Sequence, residues 1–326
     1  MTNILIFIIV ISVIATLVQI VRVSELLSEI KNKDVNEVTD KDNNTQGLLF
    51  LIVGFGFLIF VVWQMITWDH LLLPPASSVH GTQIDLLMKV SMGLIIVVFF
   101  ITSPMLFYFA FKYRGKKSNN AYFLSHNNKL EVVWTVIPTI ILTVLIIFGL
   151  KTWDNAMNVE VTESTKLIEV YAKQYNWTAR YSGLDNKLGK ANYKLVKGKN
   201  TLGVDMLDIN SADDKMAREV HLVVNEPVLL KFRSQDVIHS AFLPHFRVQM
   251  NCVPGITTQF GFTPNKTTAQ MKESEGEDFE YVLLCNKICG ASHFNMQMKF
   301  IVETQEEYDI WIASQDNLEK KLLTQK

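Results

Sequence analysis

Hydrophobic residues concentrate in four long runs in the first half of the chain, each nearly free of charged residues. A helix needs about 20 apolar residues to cross the hydrocarbon core of a bilayer, and each run is near that length. The pattern therefore predicts four membrane-spanning helices: Ile4–Val21, Leu48–Ile66, Val90–Phe111 and Val132–Leu150. Pro104 and Pro138 lie inside two of these runs, and membrane helices tolerate proline better than soluble helices do.

After Leu150 the pattern changes to short runs that are rich in β-branched and aromatic residues and separated by turns. Such runs are typical of an all-β sandwich. The predicted strands are Leu167–Ala172, Glu219–Val224, Val228–Arg233, Thr257–Phe262, Phe279–Leu284 and Met298–Val302. A helix over Glu303–Ala313 is expected to close the domain, with Tyr308 and Trp311 packing inward. The fold class is thus membrane α-helices followed by an all-β domain.

Three segments follow from this division. Residues 1–46 form a first helix and a polar connector, residues 47–151 form three further helices, and residues 152–326 form the soluble domain. The connector is expected to be solvated, and helical as far as Lys33. The first run resembles a signal peptide in length, but it lacks a basic segment before it and a convincing cleavage site, which favours a retained helix.

Loop charges predict the orientation of these helices. Basic residues between Lys112 and Lys117 favour the cytoplasmic side for that loop, whereas the loop from Trp68 to Met88 has no Lys or Arg. Four crossings then place both termini and the soluble domain on the periplasmic side of a bacterial inner membrane. The net charge of −1 gives no electrostatic basis for binding nucleic acid.

One short segment concentrates metal-binding side chains. Cys285, Cys289, His293 and Met296 lie within twelve residues, and His239 offers a second imidazole upstream. Thiolates with imidazoles suit copper, iron–sulfur clusters or zinc, and the nearby methionine favours copper. A zinc site and a Cys285–Cys289 disulfide are the alternatives that spacing alone leaves open.

Two further cysteine features limit the chemistry. Cys252 lies outside the pattern and is expected to pack as a small hydrophobic residue. The sequence contains no C-x-x-C-H motif, so no covalently attached heme is expected on this chain.

Three motifs in the same order resemble subunit II of cytochrome c oxidase, in the heme–copper oxidase superfamily. They are C-x-x-x-C-x-x-x-H-x-x-M from Cys285, D-V-x-H-S-x-F from Asp236, and L-E-x-x-W-T-x-x-P from Leu130. The chain looks like a bacterial form with extra N-terminal helices. The resemblance implies a cupredoxin-like sandwich with a binuclear copper centre, CuA. It assigns two copper ions to His239, Cys285, the backbone carbonyl of Lys287, Cys289, His293 and Met296.

The same resemblance implies a role. The family accepts electrons from a c-type cytochrome at the copper centre and passes them to the heme–copper subunit I, which reduces oxygen and pumps protons. This chain would then be a non-catalytic electron-transfer subunit whose partners are subunit I, other oxidase subunits and the lipid bilayer. Glu131 occupies the position of a proton-path carboxylate, and Tyr175 and Trp177 occupy the aromatic positions associated with electron arrival.

Several positions depart from the family pattern. Lys287 stands where the family carries a glutamate that also binds a magnesium ion, and Asn251 replaces a common aspartate, so that magnesium site is expected to be absent or rebuilt. Tyr175 replaces a tryptophan, which suggests a donor other than a mobile mitochondrial-type cytochrome c, for instance a cytochrome fixed in a respiratory supercomplex. The acidic run Glu273–Glu280 is either a steering patch for a basic donor or a solvated loop.

Two other functions remain as alternatives. A quinol-oxidase-type subunit II has this fold without the copper ligands, and the ligand set argues against it. A membrane-tethered copper carrier or assembly factor has no use for the motif that contains Glu131. The first two helices are expected to contact neighbouring subunits.

Overall fold

The computed structural model describes residues 2–30 and 37–318. Its described residues contain four helices that are long and apolar enough to cross a membrane. They are α1 (Thr2–Ile30), α2 (Asp40–Trp68), α3 (Val79–Lys112) and α4 (Asn128–Met157). The four predicted helices are therefore confirmed, and each is longer than its apolar run because polar turns extend it beyond the hydrophobic segment.

The start of α2 shows how polar residues join a membrane helix. The Thr39 hydroxyl accepts a hydrogen bond from the Asp42 amide (3.2 Å), and the Asp42 carboxylate accepts one from the Thr39 amide (3.0 Å). This capping box satisfies amides that would otherwise lack partners, so the helix begins well before Leu48. The predicted boundaries at residues 46 and 151 consequently fall inside α2 and α4, while the predicted extension of α1 to Lys33 lies outside the described residues.

The chain divides into two compact units, the first built from residues up to Asp69 together with Ile95–Asn127. In this unit, α2 and the second half of α3 meet at a glycine. A Cβ atom on Gly54 would lie 2.3 Å from the Phe107 ring, so only glycine allows that aromatic ring to approach the α2 backbone. The Phe50 and Phe107 rings lie 5.1 Å apart beside this contact.

The second unit contains His70–Leu94 and the chain from Asn128 onward, and it includes a β-sandwich. Its described residues form two five-stranded sheets. The strands are β1 (Lys166–Lys173), β2 (Asn176–Tyr181), β3 (Lys215–Ala217), β4 (Val220–Val223), β5 (Val228–Ser234), β6 (His239–Leu243), β7 (Val248–Cys252), β8 (Thr258–Phe262), β9 (Tyr281–Cys285) and β10 (Gln297–Glu303). The predicted cupredoxin-like sandwich is confirmed.

The sheets have the strand orders β3-β2-β1-β5-β8 and β4-β10-β9-β6-β7. The pairs β1–β5 and β4–β10 are parallel and the other pairs are antiparallel. Large side chains from both sheets and from the turn after β6 fill the space between the sheets, and Phe232, Phe246, Tyr281 and Phe300 are fully buried. Each such side chain contributes roughly 1.5–3 kcal/mol through burial, which makes the sandwich a rigid support for its loops.

The sequence did not indicate β2, β3, β6 or β7. These strands carry polar residues at buried positions, such as Arg180 in β2, so hydrophobic alternation is weak there.

Part of the acidic run is helical: α5 (Thr268–Glu275) begins with a capping box between Thr267 and Gln270. The predicted closing helix is α6 (Gln305–Ser314), with Tyr308 buried and Trp311 half-buried, as expected.

The end of the sandwich at the β6–β7 turn packs on the first turns of α3. Arg247 makes two hydrogen bonds to the Asp85 carboxylate, at 2.8 and 2.9 Å. His80 is buried next to Phe260, with ring centroids 5.3 Å apart. This segment therefore fixes one end of the sandwich, and the metal-binding residues lie at the other end.

Candidate metal centre

Strand pairing brings the two metal-binding segments together. His239 is the first residue of β6 and Cys285 is the last residue of β9. These strands are antiparallel neighbours in which Ala241 pairs with Cys285, so the start of one strand lies beside the end of the other. Residues separated by more than forty positions in the sequence thus meet at one edge of the sheet.

The loop between β9 and β10 carries the remaining candidates and is closed at its base. The Cys285 amide donates to the Met296 carbonyl (3.1 Å), which joins the first and last metal-binding residues of the loop. His293 opens a short 3₁₀ turn, and Met296 ends it directly before β10. Two strands of a packed sheet therefore anchor the loop on both sides.

The donor atoms converge in a small space. Among the described residues, the atoms of His239, Cys285 and Cys289 that can bind a metal all lie within 4.8 Å of one another. The two Sγ atoms are 3.8 Å apart and unbonded, since an S–S bond measures about 2.05 Å. The disulfide alternative is therefore not the state that the structure shows.

Each thiol has its own imidazole and its own weaker donor. Cys285 Sγ lies 3.7 Å from His239 Nδ1 and 3.3 Å from the Lys287 carbonyl oxygen. Cys289 Sγ lies 3.7 Å from His293 Nδ1 and 3.9 Å from Met296 Sδ. The donors thus form two similar sets around a shared pair of sulfurs, an arrangement that fits two adjacent soft metal ions better than one tetrahedral zinc ion.

The pocket is dry. His239 and Met296 are buried, both cysteines are almost buried, and His293 is half-buried. Burial, and after it the neighbouring Cys285 sulfur, raises the pKa of the Cys289 thiol to about 11. Two thiolates in such a pocket repel each other unless cations lie between them, so the chemistry of the donor set fits copper.

Asp236 orients the buried imidazole. Its Oδ1 atom lies 2.9 Å from His239 Nε2, which leaves the Nδ1 lone pair directed at the sulfurs. The Gln174 and Val237 amides also donate to this carboxylate, at 2.7 and 2.8 Å. Burial acts to raise the pKa of Asp236, but these hydrogen bonds outweigh it and the pKa is lowered. A carboxylate behind a metal-binding histidine fixes the ring tautomer and orientation.

Two residues that follow β1 hold the loop from the side. The Gln174 side-chain amide donates to the Cys289 carbonyl, and the Ala291 amide donates to the Tyr175 hydroxyl (3.0 Å). Gly290 has a φ of +137°, and a Cβ atom there would lie 2.3 Å from the Tyr175 hydroxyl oxygen. Tyr175 thus packs against the loop at Gly290, where the Cβ atom of any other residue would clash with the Tyr175 hydroxyl group.

The two predicted aromatic positions differ in exposure. Tyr175 is 36% exposed, whereas Trp177 is 3% exposed and belongs to the core. The Trp177 ring nitrogen donates to the Met296 carbonyl (3.4 Å), and its ring centroid lies 6.0 Å from that of His239. One aromatic side chain therefore reaches the surface, and the other packs directly against the metal-binding residues.

The remaining residues that the sequence analysis named lie on the metal-binding loop, on β7 and on α4. The Lys287 side chain is exposed while its carbonyl faces Cys285, and Asn251 is exposed on β7. Glu131 lies in the first turn of α4. Cys252 is buried, and burial raises the pKa of its thiol to about 12, in accord with a packing role.

Sequence reasoning did not assign roles to Asp236 or Gln174. For Asp236 the signal was present, because an aspartate three residues before a metal-binding histidine on a turn can reach the distal ring nitrogen. For Gln174 no local pattern existed, since its contact with Cys289 spans more than a hundred residues. Only the strand pairing of β1 places it beside the loop.

Fold and site together define a membrane-anchored cupredoxin-type protein with a candidate copper site. Two models of one family match the chain: cytochrome C oxidase subunit II, transmembrane domain, over residues 66–152, and cytochrome C oxidase subunit II, periplasmic domain, over residues 167–304. Together the two ranges cover more than half of the chain. The chain belongs to the cytochrome c oxidase subunit II family, in a form with extra N-terminal helices.

Individual relatives agree with this assignment. The chain is 27% identical to the alternative cytochrome c oxidase subunit 2 of Bradyrhizobium diazoefficiens, over 82% of this chain and 91% of that protein. It is 25% identical to cytochrome c oxidase subunit 2 of Synechocystis, over 82% of each chain. The counterpart in Cereibacter sphaeroides is 26% identical over 73% of this chain and 78% of that protein.

Family membership fixes the coarse biology. The protein is a multi-pass membrane protein with a periplasmic domain, and it belongs to an oxidoreductase complex. Its Cys/His site is CuA-like, in accord with what the resemblance to the family implied.

Proposed function

We propose that this chain is the subunit through which electrons reach the oxidase, and that His239, Cys285, the Lys287 carbonyl, Cys289, His293 and Met296 hold two copper ions. One observation carries the proposal: two thiols 3.8 Å apart, each with its own imidazole nitrogen at 3.7 Å. A single metal ion would need one set of donors around one point, whereas these donors form two sets around a shared sulfur pair. Copper is the metal for which this mixture of thiolate, imidazole and thioether is best suited.

When bound, the copper pair supplies a centre that takes up and releases one electron at a time. The residues of this chain make that possible by holding the donors still. Asp236 fixes the His239 ring, and the hydrogen bond between the Cys285 amide and the Met296 carbonyl closes the loop. The buried position of the sulfurs excludes water. A pocket that does not rearrange keeps the barrier to electron transfer low.

The surface of the site suggests how electrons arrive and leave. We assign Tyr175 to the arrival of electrons from a c-type cytochrome, because it is an aromatic residue that reaches the surface and hydrogen-bonds to the metal loop. Trp177 packs beside His239, with ring centroids 6.0 Å apart. The heme–copper subunit I is the proposed acceptor, and reduction of oxygen with proton pumping takes place there.

Lys287 makes a shared magnesium ion doubtful. Its carbonyl oxygen faces Cys285, but its exposed side chain ends in an ammonium group, which cannot bind a cation. With Asn251 in place of a carboxylate, the residues on this face lack the oxygen anions that magnesium prefers. We propose that the site is absent or rebuilt from other residues.

The proposal has two further parts, a role for Glu131 and the orientation of the chain in the membrane. Glu131 lies in the first turn of α4, where the helix dipole favours a carboxylate, and we assign it to the start of a proton path into subunit I. Both termini and the sandwich face the periplasm in this arrangement, which follows from the loop charges. A Glu131→Gln variant with normal copper spectra and reduced proton uptake would support the assignment.

The decisive experiment uses the full chain purified with its complex from copper-replete cells. Metal content and the electron paramagnetic resonance spectrum are measured for the wild type and for the matched variant Cys252→Ser. We expect two copper ions that share one unpaired electron in both proteins. A single copper ion, zinc, or a Cys285–Cys289 disulfide contradicts the proposal. Purification without any heme-bearing subunit would instead support a copper carrier or assembly factor.

A further inference from the structure

The hairpin turn between β1 and β2 consists of two residues with large side chains, Gln174 and Tyr175. Lys173 at the end of β1 pairs with Asn176 at the start of β2, so the turn contains these two residues alone. Two-residue hairpin turns usually contain Gly, Asn or Asp. Here both side chains instead contact the loop between β9 and β10. We call Gln174 and Tyr175 the loop clamp.

The loop clamp holds the two peptide groups on either side of Gly290. The Gln174 side-chain amide donates to the Cys289 carbonyl, which belongs to the peptide group before Gly290. The Tyr175 hydroxyl accepts a hydrogen bond of 3.0 Å from the Ala291 amide, which belongs to the peptide group after it. Each peptide group is planar, so fixing both of them also fixes the backbone dihedral angles of the glycine between them.

Gly290 depends on this restraint more than another residue would. Glycine has no Cβ atom and therefore moves easily between backbone conformations, and the φ of Gly290 is +137°. A Cβ atom there would lie 2.3 Å from the Tyr175 hydroxyl oxygen and 2.9 Å from Gln174 Nε2. The loop clamp thus fills the space that a side chain would need, and it supplies the restraint that glycine lacks.

This glycine lies between two metal-binding residues. Cys289 directly precedes Gly290, and the His293 amide donates to the Gly290 carbonyl at 3.2 Å. A backbone rotation at Gly290 would therefore change the separation of Cys289 Sγ and His293 Nδ1, which is 3.7 Å. By fixing Gly290, the loop clamp fixes the distance between the two strongest donors of one donor set.

The other donor set is held by different groups. Asp236 orients His239, and the same carboxylate accepts a hydrogen bond of 2.7 Å from the Gln174 main-chain amide. That contact uses the main chain, so a change of side chain at Tyr175 leaves it in place. The Tyr175 side chain therefore acts on the Cys289 side of the centre and leaves the His239 side unchanged.

The hydroxyl oxygen is the part of Tyr175 that this role requires. A phenolic oxygen accepts a hydrogen bond from an amide, whereas a phenylalanine ring has no polar atom and the indole of tryptophan offers only a donor. Ala291 is exposed, so water can satisfy its amide when the oxygen is removed. What is then lost is a fixed position, because a water molecule is not attached to the hairpin.

We infer that Tyr175 is a positioning residue of the metal centre, whose hydroxyl group holds Cys289 and His293 in their metal-binding arrangement. The inference rests on the proposed function and adds a second role at the same residue: the ring lies at the surface, and the hydroxyl restrains the loop. Groups that orient metal-binding residues change metal affinity by about 10–100-fold, and one exposed hydrogen bond belongs at the lower limit of that range.

The test uses the purified oxidase that contains this chain, as wild type and as the Tyr175→Phe variant. We expect the variant to hold two copper ions but to lose them to an excess of chelator about tenfold faster than the wild type. Its pulsed electron paramagnetic resonance spectrum should show one imidazole nitrogen coupling changed and the other unchanged, because only the His293 side has lost a restraint.

Hydrogen exchange provides a measurement that does not depend on bound copper. In the chelator-treated, copper-free oxidase, the amides from Gly290 to His293 should exchange at least about fivefold faster in Tyr175→Phe than in the wild type, because local opening exposes them more often. The amides of β9 and β10 should exchange at unchanged rates, since the strands keep their pairing partners.

Two further variants locate the effect. Tyr193→Phe removes the hydroxyl of another exposed tyrosine, on the connection between β2 and β3, and should behave as the wild type. Tyr175→Trp keeps a large aromatic ring but has no acceptor, so it should resemble Tyr175→Phe. All variants should unfold at the denaturant concentration that unfolds the wild type, which separates positioning from a general loss of stability.

The outcomes are distinguishable. Wild-type rates of copper loss and of loop exchange in Tyr175→Phe overturn the inference, as do changes in both imidazole couplings or equal effects in Tyr193→Phe. A wild-type oxidase without the copper pair contradicts the proposed function instead, and hydrogen exchange of the copper-free loop then decides the inference by itself.

Discussion

The sandwich contains two clusters of polar side chains that are shielded from water, and they satisfy their bonding needs in different ways. One is the ion-pair network of Glu169, Arg180, Asp214 and Arg233, which also bonds to carbonyls of the connection between β2 and β3. The other is the metal centre at the end of β6 and β9. Both are held by strands of the same domain, so the difference between them lies in their chemistry.

In the ion-pair network, donors meet acceptors. The guanidinium groups carry only hydrogen-bond donors and the carboxylates carry only acceptors, so the charges balance within the protein. In the metal centre, the groups that converge are lone-pair donors: two sulfurs, two ring nitrogens, a thioether and a carbonyl. Nothing among them supplies positive charge. Once its thiols lose their protons, a buried cluster of this second kind requires a cation, whereas a cluster of the first kind does not.

The largest expected effect comes from removing one shared sulfur. Replacing Cys285 by Ser substitutes a hard hydroxyl for a soft thiolate, and each of the two donor sets loses its common atom. We expect complete loss of the two-copper signal, measured by metal content and electron paramagnetic resonance of the full chain. Cys252→Ser should keep two copper ions, since Cys252 is buried outside the donor set. A shared-electron spectrum in the Cys285 variant would refute the assignment.

Breaking the ion-pair network should lower the stability of the protein and leave its metal content unchanged. Arg180→Met keeps much of the side-chain volume but leaves Glu169 and Asp214 without their shared partner. Breaking a buried pair in this way costs about 3–5 kcal/mol in the free energy of unfolding. Denaturant titration of the detergent-solubilised protein measures the loss, while the folded fraction should still bind two copper ions.

A surface ion pair provides the control for that variant. Lys299→Met removes the partner of Glu280 at a site where both side chains are about half exposed, and should cost about 0–1 kcal/mol because water already solvates both charges. Equal losses in the two variants would show that the network is no more than a solvated surface feature.

A smaller effect, on copper affinity, is expected from removing the charged hydrogen bond between Asp236 and His239. Asp236→Asn keeps the shape of the residue behind His239 but removes the charge that fixes the imidazole. Loss of such a contact weakens metal affinity by about 10–100-fold. Competition with a copper chelator measures the change, and Asp278→Asn on the exposed acidic run serves as the control. Unchanged affinity would mean that packing alone orients the ring.

The smallest effect is a pH dependence within the ion-pair network. Burial raises the pKa of Asp214 to about 6, although Arg180 opposes this, and one carboxylate oxygen has no hydrogen-bond partner among the described residues. Since the pKa is raised on folding, the stabilising contribution is present at low pH and is lost as the pH rises through about 6. The free energy of unfolding should fall by about 1 kcal/mol from pH 5 to pH 7.

An Asp214→Asn variant isolates this contribution. It cannot titrate, so its unfolding free energy should lack the part of the decline that belongs to Asp214, measured by denaturant titration at matched pH values. If the wild type and the variant change in parallel between pH 5 and pH 7, the carboxylate of Asp214 is ionised throughout and the pair with Arg180 dominates over burial.

Much of the molecule follows from local sequence. The four apolar runs determine the helices because a bilayer admits only segments that satisfy their own backbone hydrogen bonds. The spacing of Cys285, Cys289, His293 and Met296 determines the donor types and brings them onto one short loop. Short runs rich in β-branched and aromatic residues indicated six of the ten strands in the described residues, and the segment Glu303–Ala313 was expected to form the closing helix that the structure shows.

Other features depend on contacts between distant segments, which no local pattern encodes. The pairing of β6 with β9 places His239 beside Cys285, and the turn after β1 places Gln174 and Tyr175 against the loop. The strand that contains Arg180 looked polar because its charge is neutralised only when Glu169 of β1 and Asp214, the residue before β3, pack against it. The sequence by itself determined which atoms are available to bind copper. Tertiary structure decided which of them meet, which are buried, and which charges remain free to meet a partner, because burial and distance are properties of the assembled sheets.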